Sequence, residues 1–206
     1  MIIAVDGPTA SGKGTIARAL AAHFGLPHLD TGLLYRAVGF EVSARQGDPD
    51  DPADALAACD FADELLGHPE LRSEATGGLA SRVSVHRAVR RALYERQRTF
   101  ATQAGGAVLD GRDIGTVIAP EADVKLFVTA SVTARAQRRL AEMLSTGREA
   151  DLAEITAQLE ARDTRDAGRK DAPLLAADDA IILDTTLLNR SESIARAIAL
   201  AEFVRG

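Results

Sequence analysis

Ile2-Ile3-Ala4-Val5-Asp6-Gly7-Pro8-Thr9-Ala10-Ser11-Gly12-Lys13-Gly14-Thr15 is the stretch from which the rest of the chain can be read. The apolar run Ile2–Val5 has the signature of a strand buried on both faces of a parallel sheet. Gly7 and Gly12 bracket four residues and Lys13 follows at once; after Thr15 the pattern turns helical, with Ile16, Ala19, Leu20 and His23–Phe24 on one face. A strand, a glycine-rich turn and a helix N-terminus, in that order, form a cradle for phosphate. Glycines let backbone N–H groups approach the oxygens, the positive helix end favours the anion, and Lys13 adds a point charge. In the usual pattern a hydroxyl residue follows the lysine and ligates Mg²⁺. Here Gly14 stands there and Thr15 comes one later. The metal would then be held through water and the nucleotide's phosphates, an arrangement Mg²⁺ accepts.

At 206 residues and 46% hydrophobic content, the chain can bury a real core as one large domain, residues 1–206, with room for a movable subregion. The single cysteine, Cys59, excludes a disulfide framework and suits a reducing compartment. Asp6 interrupts the N-terminal apolar run, and no run approaches a membrane span. The expectation is a cytoplasmic protein with no membrane partner. A net charge of −6 argues against general nucleic-acid affinity. Of the 24 basic residues 21 are Arg, whose planar fork grips phosphates bidentately; composition alone favours codon bias as the cause of that count, and the positions of the arginines decide more.

Along the chain, the first helix ends near Phe24 at Gly25, a natural C′ residue, with Pro27 beyond. His28–Asp30 reads as a second strand, and Thr31 as the N-cap of a helix carrying Leu34, Tyr35, Arg36, Val38 and Val42. Gly47–Pro52 is a turn, and 53–66, 69–85 and 87–103 read as helices. Further strands are predicted at Ala107–Leu109, Val124–Val128 and Ile181–Leu183, with helices over 133–146, 151–165 and 191–205. Strands alternating with helices predict a doubly wound parallel sheet, whose ligands collect at the carboxyl ends of strands. Those ends are Gly7–Thr15, Asp30-Thr31 and Asp110–Asp113.

Asp110-Gly111-Arg112-Asp113 places two carboxylates and a guanidinium at a strand end, as Mg²⁺ and phosphate groups require or as a solvated turn would. Arg162, Arg165, Asp166 and Arg169 fall at spacings of three and four, on one helical face. That segment, with Gly168 and Pro173 to bend it, reads equally as a lid over phosphates or as a solvated face. Arg36, one turn from Thr31, is either an ordinary surface residue or, by its nearness to a strand end, a functional one. Ser81, Arg87 and Arg90 are not placed by pattern. His23, His28, His68 and His86 lack metal-ligand spacing, and nothing activates Cys59.

Four motifs then occur together: Gly7-Pro8-Thr9-Ala10-Ser11-Gly12-Lys13-Gly14-Thr15, Asp30-Thr31-Gly32-Leu33-Leu34-Tyr35-Arg36, Asp110-Gly111-Arg112-Asp113-Ile114-Gly115-Thr116, and Arg162-Asp163-Thr164-Arg165-Asp166 followed by Ala172-Pro173-Leu174. In that order, over nearly the whole chain, they resemble the bacterial cytidylate kinases, members of the nucleoside monophosphate kinase group of P-loop kinases. The resemblance implies an α/β, three-layer P-loop fold, a five-stranded parallel sheet flanked by helices, with a helical NMP-binding region at about 31–100 and a lid at about 147–172. It implies a monomeric transferase of pyrimidine nucleotide metabolism, moving the γ-phosphoryl of ATP to CMP or dCMP with Mg²⁺. By the same resemblance Gly7, Pro8, Thr9, Ala10, Ser11, Gly12, Lys13, Gly14 and Thr15 would bind ATP. Thr31, Tyr35, Arg36, Ser81, Arg90, Arg112, Asp113, Arg162 and Asp166 would bind the acceptor, with Ser81, Arg90 and Asp113 on cytosine. Lys13, Arg112, Arg162 and Arg169 would act on the transferred phosphoryl, and Asp110 would meet the metal through water. Gly14 is normal in that family. Two departures stand out: the three-stranded insert of many members is largely missing around 53–74, and Ala167 replaces a lid arginine. A kinase for UMP, AMP or shikimate, or a nucleotide-dependent switch, are the alternatives.

Overall fold

The computed structural model describes residues 1–205. In order these form β1 (Ile2–Asp6), α1 (Lys13–Phe24), β2 (His28–Asp30), α2 (Thr31–Ala44), α3 (Pro52–Ala57), α4 (Glu74–Val83), α5 (Arg87–Ala101), β3 (Ala107–Gly111), β4 (Val124–Thr129), α6 (Val132–Ser145), α7 (Leu152–Ala167), β5 (Ile181–Asp184) and α8 (Arg190–Arg205). The five-stranded parallel sheet and its flanking helices are those the sequence implies, in the order β2-β3-β1-β4-β5. β1 pairs with β3, Ile2 opposite Ala107 and Asp6 opposite Gly111, and on its other edge with β4, Ile3 opposite Val124. Its Ile3, Ala4 and Val5 are wholly buried, as a central strand covered on both faces demands.

Internal packing divides the chain into two units: Met1–His28 with everything from Ala101 onward, and Leu29–Phe100. The first contains β1, β3, β4 and β5, and its core joins Ile3, Val5, Ile16, Leu20, Val108, Leu126, Val128 and Leu183 to Ala197 and Ala201 of α8. Each large side chain buried there contributes about 1.5–3 kcal/mol over its exposed state. α1 stops at Gly25, whose left-handed φ of 66° closes the helix on the Ala21 carbonyl. α6 and α7 start on the side chains of Ser131 and Asp151, which accept from Ala134 and Ala153 N–H. A smaller cluster of Ala136, Ile155 and Leu159 joins these two helices.

The second unit is helical, with Leu34, Tyr35, Val38 and Val42 of α2 packed on Ala80 and Val83 of α4 and on Val89 and Leu93 of α5. α2 meets α4 so closely that a Cβ on Gly39 would lie 2.7 Å from Leu79 Cβ. Two of the long helices expected here are interrupted. The span 53–66 holds α3 and then a 3₁₀ turn from Asp63 to Gly67, and 69–85 holds a 3₁₀ turn at Pro69–Arg72 before α4. Pro69 cannot extend a preceding helix, and Ser73, in extended conformation, starts a new one by accepting from Thr76 N–H. Thr31 is the first residue of α2; Asp30 holds the cap position expected of Thr31. No strand occurs between α2 and β3 among the described residues, in keeping with the short, helical reading of 53–74.

Candidate functional site

The phosphate cradle is built on the end of β1. Gly7 leaves the strand at φ 151°, and a Cβ there would fall 2.0 Å from the Val128 carbonyl oxygen, so only glycine fits. Gly12 precedes α1, and its carbonyl accepts from Thr15 N–H at 3.0 Å and Ile16 N–H at 3.1 Å. The earlier amides of α1 belong to its open, positive end. Lys13 Nζ donates to the Pro8 carbonyl at 3.3 Å, folding back over the loop. Ser11 is fully buried, and its Oγ has no hydrogen-bond partner among the described residues.

The turn after β3 is tied to the same strand end. Asp6, the last residue of β1, accepts from Ile114 N–H at 2.9 Å and Gly115 N–H at 2.8 Å. Burial pushes its carboxyl up to about 7 against the pull of those two amides, and neighbouring Asp113 adds to the rise. Asp110 accepts from or donates to His28 Nε2 at 2.7 Å, and its other oxygen faces Gly14, where a Cβ would stand 3.4 Å away. Arg112 donates to Thr9 Oγ1 at 2.6 Å and through Nε to Asp166 at 2.8 Å. Arg169 reaches the other oxygen of Asp166 at 2.5 Å. Burial opposes ionisation of Asp166, but Arg112 and Arg169 outweigh it and hold the carboxyl at about 2. Its contribution to stability is therefore present above the ordinary carboxylate range and lost as pH falls through about 2.

The second unit positions its own candidates. Arg36 is half-buried, not on an exposed turn, and donates to the Leu71 and Ser73 carbonyls at 2.7 and 2.8 Å. Ser81 is buried, Thr31 is buried at the start of α2, and the Arg90 guanidinium lies 5.5 Å from the centre of the Tyr35 ring.

The cytidylate kinase family model matches residues 3–202. The chain belongs to the cytidylate kinase family. Among its relatives, the cytidylate kinase of Xanthobacter autotrophicus is 52% identical over 203 residues, 98% of this chain and 97% of that one. The cytidylate kinase of Granulibacter bethesdensis is 54% identical over 198 residues, 96% of this chain and 94% of the other. In fold the chain is similar to an uncharacterized protein from Eubacterium ventriosum, with a TM-score of 0.57, 13% identity, and coverage of 100% and 98%.

Set against the residues that the cytidylate kinase resemblance nominates, the first unit carries Gly7–Thr15, Asp110, Arg112 and Asp113 at the ends of β1 and β3, Arg162 and Asp166 on α7, and Arg169 just past it; the second holds Thr31, Tyr35, Arg36, Ser81 and Arg90. The single helical face expected of Arg162, Arg165, Asp166 and Arg169 is not formed: α7 ends at Ala167, so Arg169 lies beyond it, and Asp166 and the Arg169 side chain are buried while Arg165 is exposed. Other polar groups were not singled out from sequence. Arg138 donates to Thr185 Oγ1 at 3.0 Å and to the Thr185 and Leu188 carbonyls. With Gly12, Thr15, Leu188, Asn189 and Arg190 it lines a pocket of about 350 Å³ beside the start of α1. The buried Arg135 pairs with the half-buried Asp163 beside the loop. Their partners lie far along the chain, so no local spacing reveals them. A polar residue directly after an apolar run, as Asp6 is after Ile2–Val5, is the one available signal.

The raised Asp6 carboxyl has a measurable consequence. An acid whose pKa is higher folded than unfolded contributes stability fully below its ordinary value of 3.8, and loses it as pH rises through about 7. Thermal melting of wild type and Asp6→Asn across pH 5 to 8, a range set about that transition, should show the wild type losing several degrees relative to the variant. Parallel curves would mean that Asp6 does not titrate there.

Proposed function

We propose that this chain transfers the γ-phosphoryl group of ATP to CMP or dCMP, giving ADP and CDP or dCDP, by direct in-line attack of an acceptor phosphate oxygen. The observation that carries the reading is the meeting at Thr9 of the phosphate cradle with Arg112, which is itself paired to α7 through Asp166. Cations from three separate segments are thus assembled around a glycine-rich anion cradle, as phosphoryl transfer between two anionic nucleotides needs. Membership of the cytidylate kinase family agrees with a cytidine nucleotide as acceptor.

In this reading the amides at the start of α1 and Lys13 hold the donor phosphates, and the buried Ser11 hydroxyl finds its partner in a phosphate oxygen. The pocket beside Thr15 and Arg138 seats the donor nucleoside, a size suited to a small-molecule subsite. No side chain need act as nucleophile, because the acceptor phosphate attacks. Arg36 and Arg112 hold that phosphate; Ser81, Arg90 and Asp113 read cytosine; Thr31 and Tyr35 support the acceptor; Arg162 and Asp166 meet its sugar. Arg162 and Arg169 neutralise charge on the moving phosphoryl while excluding water.

Among the described residues no group of three or more His, Cys, Asp or Glu forms a metal cage. The residues present nonetheless fit Mg²⁺ held mainly by phosphates and water, because Asp110 turns a carboxylate oxygen toward the space left by Gly14. When bound, Mg²⁺ would supply charge neutralisation between the donor's outer phosphates. No helix among the described residues is long and apolar enough to cross a membrane. We place the protein in the cytoplasm as a monomer, with no nucleic-acid or membrane partner, on its acidic charge and its reduced single cysteine.

A panel of acceptors in a coupled assay of ADP release tests the assignment. CMP and dCMP should turn over well ahead of UMP, AMP and shikimate. Equal rates for UMP or AMP would remove the cytosine role of Ser81, Arg90 and Asp113. ATP hydrolysis without acceptor dependence would favour a nucleotide switch.

A further inference from the structure

Thr9 receives two arginines, one on each of its oxygens. Its hydroxyl accepts from Arg112 Nη2, and its backbone carbonyl accepts from Arg135 Nη1 at 3.1 Å. Each of these arginines also holds a carboxylate of α7. Arg112 bonds Asp166, while Arg135 forks onto both oxygens of Asp163, at 3.1 and 2.5 Å. Asp163 and Asp166 are three residues apart and so share a face of the helix. Two parallel arginine–aspartate bridges therefore run from α7 to one residue of the phosphate loop.

The two bridges differ in kind. Arg112 lies on the turn after β3 and is assigned to the acceptor phosphate. Arg135 has a side chain only 3% exposed, and it spends its Nε on the Ala130 carbonyl at 3.0 Å, at the end of β4. Its fork is committed to Thr9 and Asp163, leaving it enclosed within the protein. The peptide that accepts from Arg135 leads directly into Ala10, a non-glycine residue at φ 62°. Such a conformation persists only where the surroundings over-determine it, and the Arg135 bond is one such constraint. On its other side, Asp163 adjoins Arg162 in α7, and Arg169 follows just past the end of that helix at Ala167 with its guanidinium on Asp166.

We propose that Arg135 is a positioning residue which, through Asp163, sets the register of α7 on the phosphate loop and so aims Arg162 and Arg169 at the transferred phosphoryl. The inference rests on the reading of α7 as the carrier of catalytic arginines. Its physical basis is that charge stabilisation in the transition state depends on donors placed to within an ångström, and small misplacements cost rate far more than binding. Arginine is needed, because a lysine cannot fork onto a carboxylate while also reaching two backbone carbonyls.

The test is steady-state kinetics of the full chain carrying Asp163→Asn, Arg135→Lys or both, each assayed well below its own melting temperature. Each single variant should lower kcat about tenfold or more, leave the KM for CMP within about twofold, and the double variant should be no worse than the poorer single. Asp163→Glu keeps the charge and moves the carboxylate outward; it should retain the wild-type melting temperature yet lose part of kcat, which provides a folded test should the Asn variant not fold. Arg162→Ala and Arg169→Ala are measured beside them. If these two lower kcat while Asp163→Asn and Asp163→Glu turn over at the wild-type rate, even with a lower melting temperature, the pair is merely structural and the proposal is overturned, with the reading of α7 intact. If neither arginine matters to kcat, the reading of α7 fails and the proposal falls with it.

Discussion

Lys13→Ala abolishes turnover, by at least about a hundredfold in kcat, while the protein keeps its fold. Lys13 opens α1 at the cradle, and its ammonium sits on the loop's own Pro8 carbonyl, so its deletion removes no core contact. Removing one preorganised donor from a transition-state anion costs about a hundred- to a thousandfold in rate. Alanine is also the better helix former, so α1 itself should not suffer. Circular dichroism and melting should match the wild type, and the coupled assay should show the loss at saturating ATP and CMP. A variant near the wild-type rate would overturn the assignment of the loop to the donor phosphates.

The second large effect belongs to Arg36. Arg36→Ala should raise the KM for CMP about 10- to 100-fold and change that for ATP little, since hydrogen bonds to a charged group contribute about 1.5–3 kcal/mol. The same side chain bridges the Leu71 and Ser73 carbonyls, so its truncation also loosens the second unit and calls for a gentler companion variant. Gly77 supplies one. A Cβ there would meet Arg36 Nη2 at 2.8 Å and Cζ at 3.2 Å, and the far end of that side chain is what would have to move. Gly77→Ala therefore displaces the guanidinium with its charge intact, while favouring the helix of α4 by about 0.5–1 kcal/mol. It should raise the KM for CMP with no fall in melting temperature. Equal effects on ATP and CMP would place Arg36 on the other nucleotide.

What the sequence discloses and what it hides follow from distance along the chain. β1, the glycine turn and α1 are contiguous, so their apolar run and helical period suffice to read them. Arg112 and Arg36 stand out as candidates because the ends of strands mark where ligands gather. The bridge from Arg135 to Asp163 joins residues 28 apart, and its bond to Thr9 spans 126, separations at which no periodicity operates. Asp163 stands in a run of charges whose ordinary fate is solvent, and only tertiary pairing with Arg135 holds it half-buried. Arg165, from the same run, is exposed. The helix expected over 69–85 is broken for a local reason, since Pro69 and the Ser73 cap outrank an apolar period.

The strand order has a consequence for how the protein is made. β1 lies at the centre of the sheet, yet both of its partners come late, Ala107 opposite Ile2 and Val124 opposite Ile3. At about 5–20 residues per second, a ribosome delivers the first of those partners roughly 5–20 seconds after β1 has been synthesised. Meanwhile Leu29–Phe100, an unbroken segment with a core of its own, can condense as soon as it emerges. The most apolar strand thus waits, uncovered, through the folding of everything that separates it from β3. Slower synthesis of residues 29–106 would lengthen that wait, and with it the time in which an unpaired apolar strand can mispair.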